Sequence, residues 1–306
     1  MLSRYQSCME LRHLRYFQAV GATENFHQAA RDLGVAQPAL SRQIKALEDE
    51  LGVKLLERLP RGIRLSEAGK TFLHDSTELI ASLEKSIHRA RRVSLGEIGT
   101  LRIALSEAGS LHPLVPAILG AFKSRYHDVE LVPAYLGVLP QIAALRSNQL
   151  DVGILQRLET DDLGFNSRII GRHSFVLAVP AASPLATKAE ISVSDLKDQD
   201  HIWLSRLANP TFYRKMTAAY VNSGVKPRVV QEVANWGLLL TLVEAGLGVG
   251  MVPASLQSRT TRGVILRSLS DLEFPILIEI VWRKDETHPV VRRFLETANA
   301  VIENGQ

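Results

Sequence analysis

Between Leu11 and Gly52 apolar residues recur every three or four positions in three short runs, each followed by a glycine. Leu11, Leu14, Phe17 and Val20 share one helical face, and Gly21 is the expected stop. Phe26, Ala29, Ala30 and Leu33 mark a second, shorter helix closed by Gly34. Leu40, Ile44, Leu47 and Leu51 mark a third, closed by Gly52. Two short helices joined through a tight glycine turn form a helix-turn-helix arrangement.

The third helix has an unusual outer face. Gln37, Ser41 and Lys45 are spaced by four, with Arg42 alongside and Pro38 and Ala39 in the first turn. A proline costs nothing there, because its missing N–H would have no helical partner. Free N–H groups and the dipole make a helix start attractive to phosphate. Gln matches the major-groove edge of adenine, Arg or Lys that of guanine, and Ser serves base or phosphate. The competing reading is a solvated polar face on an ordinary helix. Glu48, Asp49 and Glu50 follow, and carboxylates repel phosphate, so the acidic run is expected to mark the end of any contact.

Val53–Glu57 and Ile63–Leu65 read as the arms of a hairpin around Pro60-Arg61-Gly62. Arg61 and Arg64 would reach phosphates or a minor groove beside the helix. Arg58 would do the same, or be solvated. Charge distribution agrees: residues 1–95 hold 15 Lys/Arg against 11 Asp/Glu, and the remainder holds 21 against 21. An excess confined to the first third suits an anionic polymer as the partner of that segment.

Residues 66–94 read as one long helix starting at Ser66 and Glu67. Leu73, Ile80 and Ile87 repeat every seven residues, with Leu83 and Ala90 three residues after the last two and Ser76 breaking the second series. This is a short heptad seam for pairing with a second copy, through Leu73, Ile80, Leu83 and Ile87. The alternative is an amphipathic helix lying on its own domain. Leu95–Thr100 reads as a linker. Beyond it, strand candidates at 101–105, 129–135, 152–155, 175–180, 201–205, 228–233, 249–253 and 276–282 alternate with helical patterns. The expectation is α/β units in two small, mostly parallel sheets.

Several function classes lack their residues. No apolar run approaches the roughly 20 residues of a membrane span, and the first residues hold no apolar signal core. A cytoplasmic protein is expected, with Met9 a candidate start. The single cysteine, Cys8, forms neither an internal disulfide nor a metal clip. The nine histidines show no HExxH or HxH spacing, and there is no GxSxG elbow or phosphate loop. GLGVG at 246–250 lacks the dinucleotide spacing and reads as a helix end entering a strand. No enzyme, cofactor or metal is expected.

The segments ELRHLRYFQAV, NFHQAARDLGVAQPALSRQIKALEDELGVKLLER and RGIRLSEAGKTFL resemble the LysR-type transcriptional regulators. LDVGIL, VLAVPAASPLA and VEAGLGVGMVP are weaker matches further on. The resemblance implies an α-helical winged helix-turn-helix domain over 9–66, with the helix-turn-helix at about 26–45. A linker and dimerisation helix over 67–95 and an α/β effector domain over 96–306 follow. That last domain would resemble periplasmic binding proteins, with subdomain I at about 100–175 and 276–306 and subdomain II at about 176–275. Crossings are expected near Phe175–Pro180 and Glu279–Arg283. The implied partners are a partly palindromic double-stranded DNA site, a small-molecule effector, further copies of the chain in a dimer and tetramer, and RNA polymerase. No membrane partner is implied. A solute receptor or metabolic enzyme without a DNA role is the alternative. Two residues depart from the family pattern: Ala36 stands where Ser or Thr often caps the third helix, and His27 where Thr often starts the second. His27 would contact a phosphate or merely begin its helix.

In such α/β domains ligands bind beyond the carboxyl ends of strands. That placement selects Ser106, Gly137, Ser205, Arg206 and Asn235. Their hydroxyl, amide and guanidinium groups at helix starts suit a small carboxylate; each could equally be a structural cap.

Overall fold

A computed structural model describes residues 9–60, 62–158, 164–207, 210–259, 262–272 and 276–304. The chain divides into two compact units, one up to Arg91 and one from Arg92.

In the first unit, helix α1 (Leu11–Thr23), α2 (Phe26–Leu33) and α3 (Gln37–Leu51) precede a hairpin of β1 (Leu56–Leu59) and β2 (Gly62–Leu65). Helix α4 (Glu67–Ser94) follows and continues into the second unit. Phe17, Val20, Ala29, Leu40, Ile44, Leu47 and Leu55 form the core. Gly21 does not stop α1, which ends three residues later on Glu24 in the left-handed conformation. Gly21 is buried, and a Cβ there would lie 3.0 Å from a Leu73 methyl. Its missing side chain therefore makes room for α4. The hairpin also starts later than the sequence suggests, because Leu55 turns into the core. Its register pairs Leu56 with Leu65 and Glu57 with Arg64.

The acidic run is not uniformly solvated: Asp49 and Glu50 are exposed, but Glu48 is not. Glu48 is buried and accepts the Leu55 and Leu56 N–H groups at 2.8 and 3.0 Å and the Lys54 ammonium at 3.0 Å. It ties the start of the hairpin to α3. Burial pushes its carboxyl up, but the Lys54 bond and the two N–H donors outweigh this and hold it below the usual range.

Helix α4 is capped by Ser66, whose Oγ accepts the Gly69 N–H at 2.9 Å. The expected seam splits. Leu73 packs on the core of its own unit, and Ile80 is buried. Leu79, Leu83 and Ile87 stay exposed, at 63, 39 and 43%. The cause is geometric: a seven-residue repeat drifts about 20° per heptad around a straight helix, so Leu73 and Ile87 face different surroundings.

In the second unit β3 (Gly99–Leu105), β4 (Val129–Tyr135), β5 (Val152–Leu158), β6 (Asn166–His173) and β12 (Ile276–Trp282) form one sheet, ordered β4-β3-β5-β12-β6. β3 runs parallel to β4 and β5, whereas β12 runs antiparallel to β5 and β6. A second sheet orders β10 (Gly250–Pro253), β7 (Phe175–Pro180) and β11 (Val264–Arg267) antiparallel. The parallel pair β8 (Asp200–Leu204) and β9 (Arg228–Val233) joins it through a bridge between His201 and Val249. The sheets are thus mixed, not mostly parallel. The chain passes from the first sheet to the second at Ser174. Glu279–Arg283 is not the return crossing: β12 lies wholly in the first sheet, where buried Glu279 pairs with Arg157 through two 2.7 Å bonds. Around the sheets lie α5 (Glu107–Ser110), α6 (Leu114–Arg125), α7 (Val138–Arg146), α8 (Pro210–Asn222), α9 (Trp236–Glu244) and α10 (Pro289–Asn304). No described helix is long and apolar enough to cross a membrane.

Candidate nucleic-acid interface and effector site

Two local devices set the two ends of α2, the second being the turn before α3. Asn25 caps α2, its Oδ1 accepting the His27 and Gln28 N–H groups. Gly34 then takes φ +67° and returns its N–H to Ala30 and Arg31. A residue with a Cβ is strained there. The turn delivers Ala36 as an N-cap with no side-chain bond, Gln37 as the first helical residue and Pro38 behind it. Leu40, Ile44 and Leu47 are buried, so the helix can roll very little. Arg42 and Lys45 are left exposed, with Gln37, Ala39 and Ser41 half-buried beside them. His27 is also exposed, at the start of α2.

The cations of this unit fall into two groups. Arg64 is bound to Glu57 across the hairpin at 2.7 Å, and Lys54 to Glu48. Among the described residues, Arg42, Lys45 and Arg58 have no carboxylate within ion-pair distance. Lys45, Lys54 and Arg58 line a groove between α3 and the hairpin, with Ser41 at its edge. Glu48, which holds Lys54, lines the same groove. Arg61 lies outside the described residues. Sequence reading missed Asn25 and Glu48, the residues that set the start of α2 and the base of the hairpin. Asn25 was legible as an Asn preceding an apolar run.

In the second unit three of the five strand-end residues, Ser106, Gly137 and Asn235, sit at helix starts. Ser106 is the N-cap of α5, buried, its Oγ accepting the Gly109 N–H at 3.2 Å. Gly137 is the N-cap of α7 and has no side-chain bond. Asn235 caps α9, its Oδ1 accepting the Leu238 N–H at 2.8 Å. Ser205 donates its N–H to Val233, and Arg206 is exposed in the turn after β8. The structure brings the Ser106 and Asn235 helix starts together through Glu107, a residue the sequence reading passed over. Its carboxylate accepts the Trp236 and Gly237 N–H groups at 2.9 and 3.1 Å. Tyr135, at the end of β4, is 64% exposed; partial desolvation and then the charge of Glu107 raise its phenol above the usual range. Trp236 is buried in contact with Phe175, as pocket wall or core. Nearby, His112 stacks edge-on against His173, with ring centres 5.3 Å apart. Burial, then the neighbouring ring, pushes His112 down to about 4.

A hairpin-flanked helix-turn-helix joined through a long helix to a two-sheet α/β unit is the layout of a DNA-binding regulator with a ligand domain. Residues 11–70 match the bacterial regulatory helix-turn-helix protein, lysR family, and residues 95–302 match the LysR substrate binding domain. The chain belongs to the LysR family of transcriptional regulators. It is 31% identical to the HTH-type transcriptional regulator BudR of Raoultella terrigena over 94% of this chain and 99% of that one. It is equally identical to AlsR of Bacillus subtilis (strain 168), over 95 and 96%. The full-length LysR family regulator CbnR complexed with its target DNA superposes with a TM-score of 0.77 at 27% identity, covering 96% of this chain and all of that one.

Proposed function

We propose that α3 reads base edges of a promoter site through Gln37, Ser41, Arg42 and Lys45, with Pro38 and Ala39 bringing the main chain close to the duplex. His27, Arg58, Arg61 and Arg64 take phosphates around it. The observation that carries this reading is the outward face of α3, where Arg42 and Lys45 project from a helix locked by Leu40, Ile44 and Leu47 and have no ion-pair partner among the described residues. The structure of CbnR with its target DNA supports it. The uncapped start of α3 at Ala36 leaves N–H groups that a phosphate oxygen would complete.

Two copies pair through Leu79, Leu83 and Ile87 of α4, and pairs associate further into a tetramer. A paired reader meets a partly palindromic site. An effector bound near Ser106, Gly137, Ser205, Arg206 and Asn235 biases the assembly through its differential affinity for two arrangements. The protein works in the cytoplasm, beside RNA polymerase, and performs no catalysis. Gel shifts of promoter DNA against random DNA over a salt series test the reading. Specific affinity should fall steeply with salt, and absence of any specific shift would contradict it. Ligand titration of Ser106→Ala and Arg206→Ala should weaken effector affinity; unchanged affinity in both would remove them from the site.

A further inference from the structure

The start of α9 is already filled by the chain itself. The first N–H groups of a helix have no partner within it and carry partial positive charge. Here Asn235 takes the Leu238 N–H, and Glu107 takes those of Trp236 and Gly237. Glu107 is the first residue of α5, which packs on β5 and β12 of the first sheet. Helix α9 packs on β7, β8 and β10 of the second sheet and its attached pair. The two bonds therefore connect the bodies on either side of the crossing at Ser174, between residues 129 and 130 positions apart.

We propose that Glu107 is a latch across the effector cleft, its carboxylate holding the two bodies together at the start of α9 until an effector group replaces it. A carboxylate accepting two main-chain N–H groups makes charge-assisted bonds, stronger than neutral ones. Glu107 is partly exposed, so water and solutes reach it. Ser106, buried and bonded to Gly109, anchors the main chain from which Glu107 projects. Tyr135 stands close enough to feel its charge. An effector that approaches α9 therefore competes with an acceptor tethered in place, and must offer α9 a better acceptor or draw Glu107 away. Loss of the carboxylate should leave the bodies free to separate without any effector. The regulatory consequence rests on the proposed effector site; the latch itself is a matter of geometry and is tested without ligand.

The test measures a distance between the two bodies in the full-length protein. Spin labels are placed at Ala143→Cys on α7 and Ala218→Cys on α8, both exposed alanines, in a Cys8→Ser background. Labelled chains are diluted with unlabelled protein, so that only distances within one chain are read. The unaltered residue 107 should give a single narrow distance distribution. Glu107→Gln, which keeps the side chain's size, and Glu107→Ala should both broaden it and lengthen its mean. Should the alanine variant fail to fold, the glutamine variant alone decides. Distributions for Glu107→Gln that overlay the parent would overturn the latch. That result would leave the effector site standing, because the Ser106 and Arg206 titrations test the site independently.

Discussion

Arg42 and Arg64 are both exposed arginines of the winged unit, and the chain treats them differently. Arg64 is held by Glu57, whereas Arg42 projects from the outer face of α3 with no ion pair among the described residues. Arg42→Ala should lower affinity for the specific site by about 1–3 kcal/mol and leave random-sequence affinity less affected, as expected for a base contact. Arg58→Ala should weaken both DNAs about equally, because a phosphate contact carries no sequence information. Gel shifts with both DNAs separate the two roles; equal losses for Arg42→Ala would demote it to a phosphate contact. Glu48 acts on stability. Glu48→Gln should destabilise the winged unit by roughly 1–3 kcal/mol at neutral pH, since it weakens bonds to a buried acceptor. The folded protein holds this carboxyl below its ordinary value of 4.5. Its stabilisation is therefore complete above 4.5 and is lost as pH falls through the folded value. Thermal melts should show the gap between variant and parent closing as pH drops below 4.5. His112 has a lowered value too, with the opposite charge chemistry. It stays neutral in the fold down to about 4, while the unfolded chain takes up its proton near 6.5. Stability of the second unit should fall between pH 6.5 and 4, and urea titrations across that range should show a shallower fall in His112→Asn.

At the scale of elements, α4 gives the sharpest contrast. Leu83→Asp combined with Ile87→Asp should abolish the tetramer in sedimentation equilibrium, leaving no assembly larger than a dimer, while the winged unit melts as before. Leu73→Ala should do the reverse, costing about 2 kcal/mol of unit stability with association unchanged. Helices were legible wherever one apolar face repeated at helical spacing, as in α2 and α3. The seven-residue repeat was legible as well, but not which of its members face home. That depends on Gly21, whose missing side chain admits Leu73. β6 was illegible for a different reason. Its sequence NSRIIGRH lies largely exposed at a sheet edge and carries little apolar pattern. Glu48 resembled any solvated carboxylate until its donors at Lys54, Leu55 and Leu56 were in place. Of the effector residues, the strand-end placement of Ser106 and Asn235 was legible. The Glu107 contact between their helices was not, because its partners lie about 130 positions away.

For the whole molecule, paired recognition helices require two half-sites separated by about 10 base pairs or a multiple, one helical turn of DNA. The measurement that tests this most directly is a footprint of the intergenic DNA beside the protein's own gene, over a salt series, with the parent chain and Arg42→Ala. Two protected half-sites on one side of the duplex are expected, with protection that weakens steeply with salt and a specific footprint lost in Arg42→Ala. Uniform binding to all sequences, or a footprint unchanged by Arg42→Ala, would contradict that expectation.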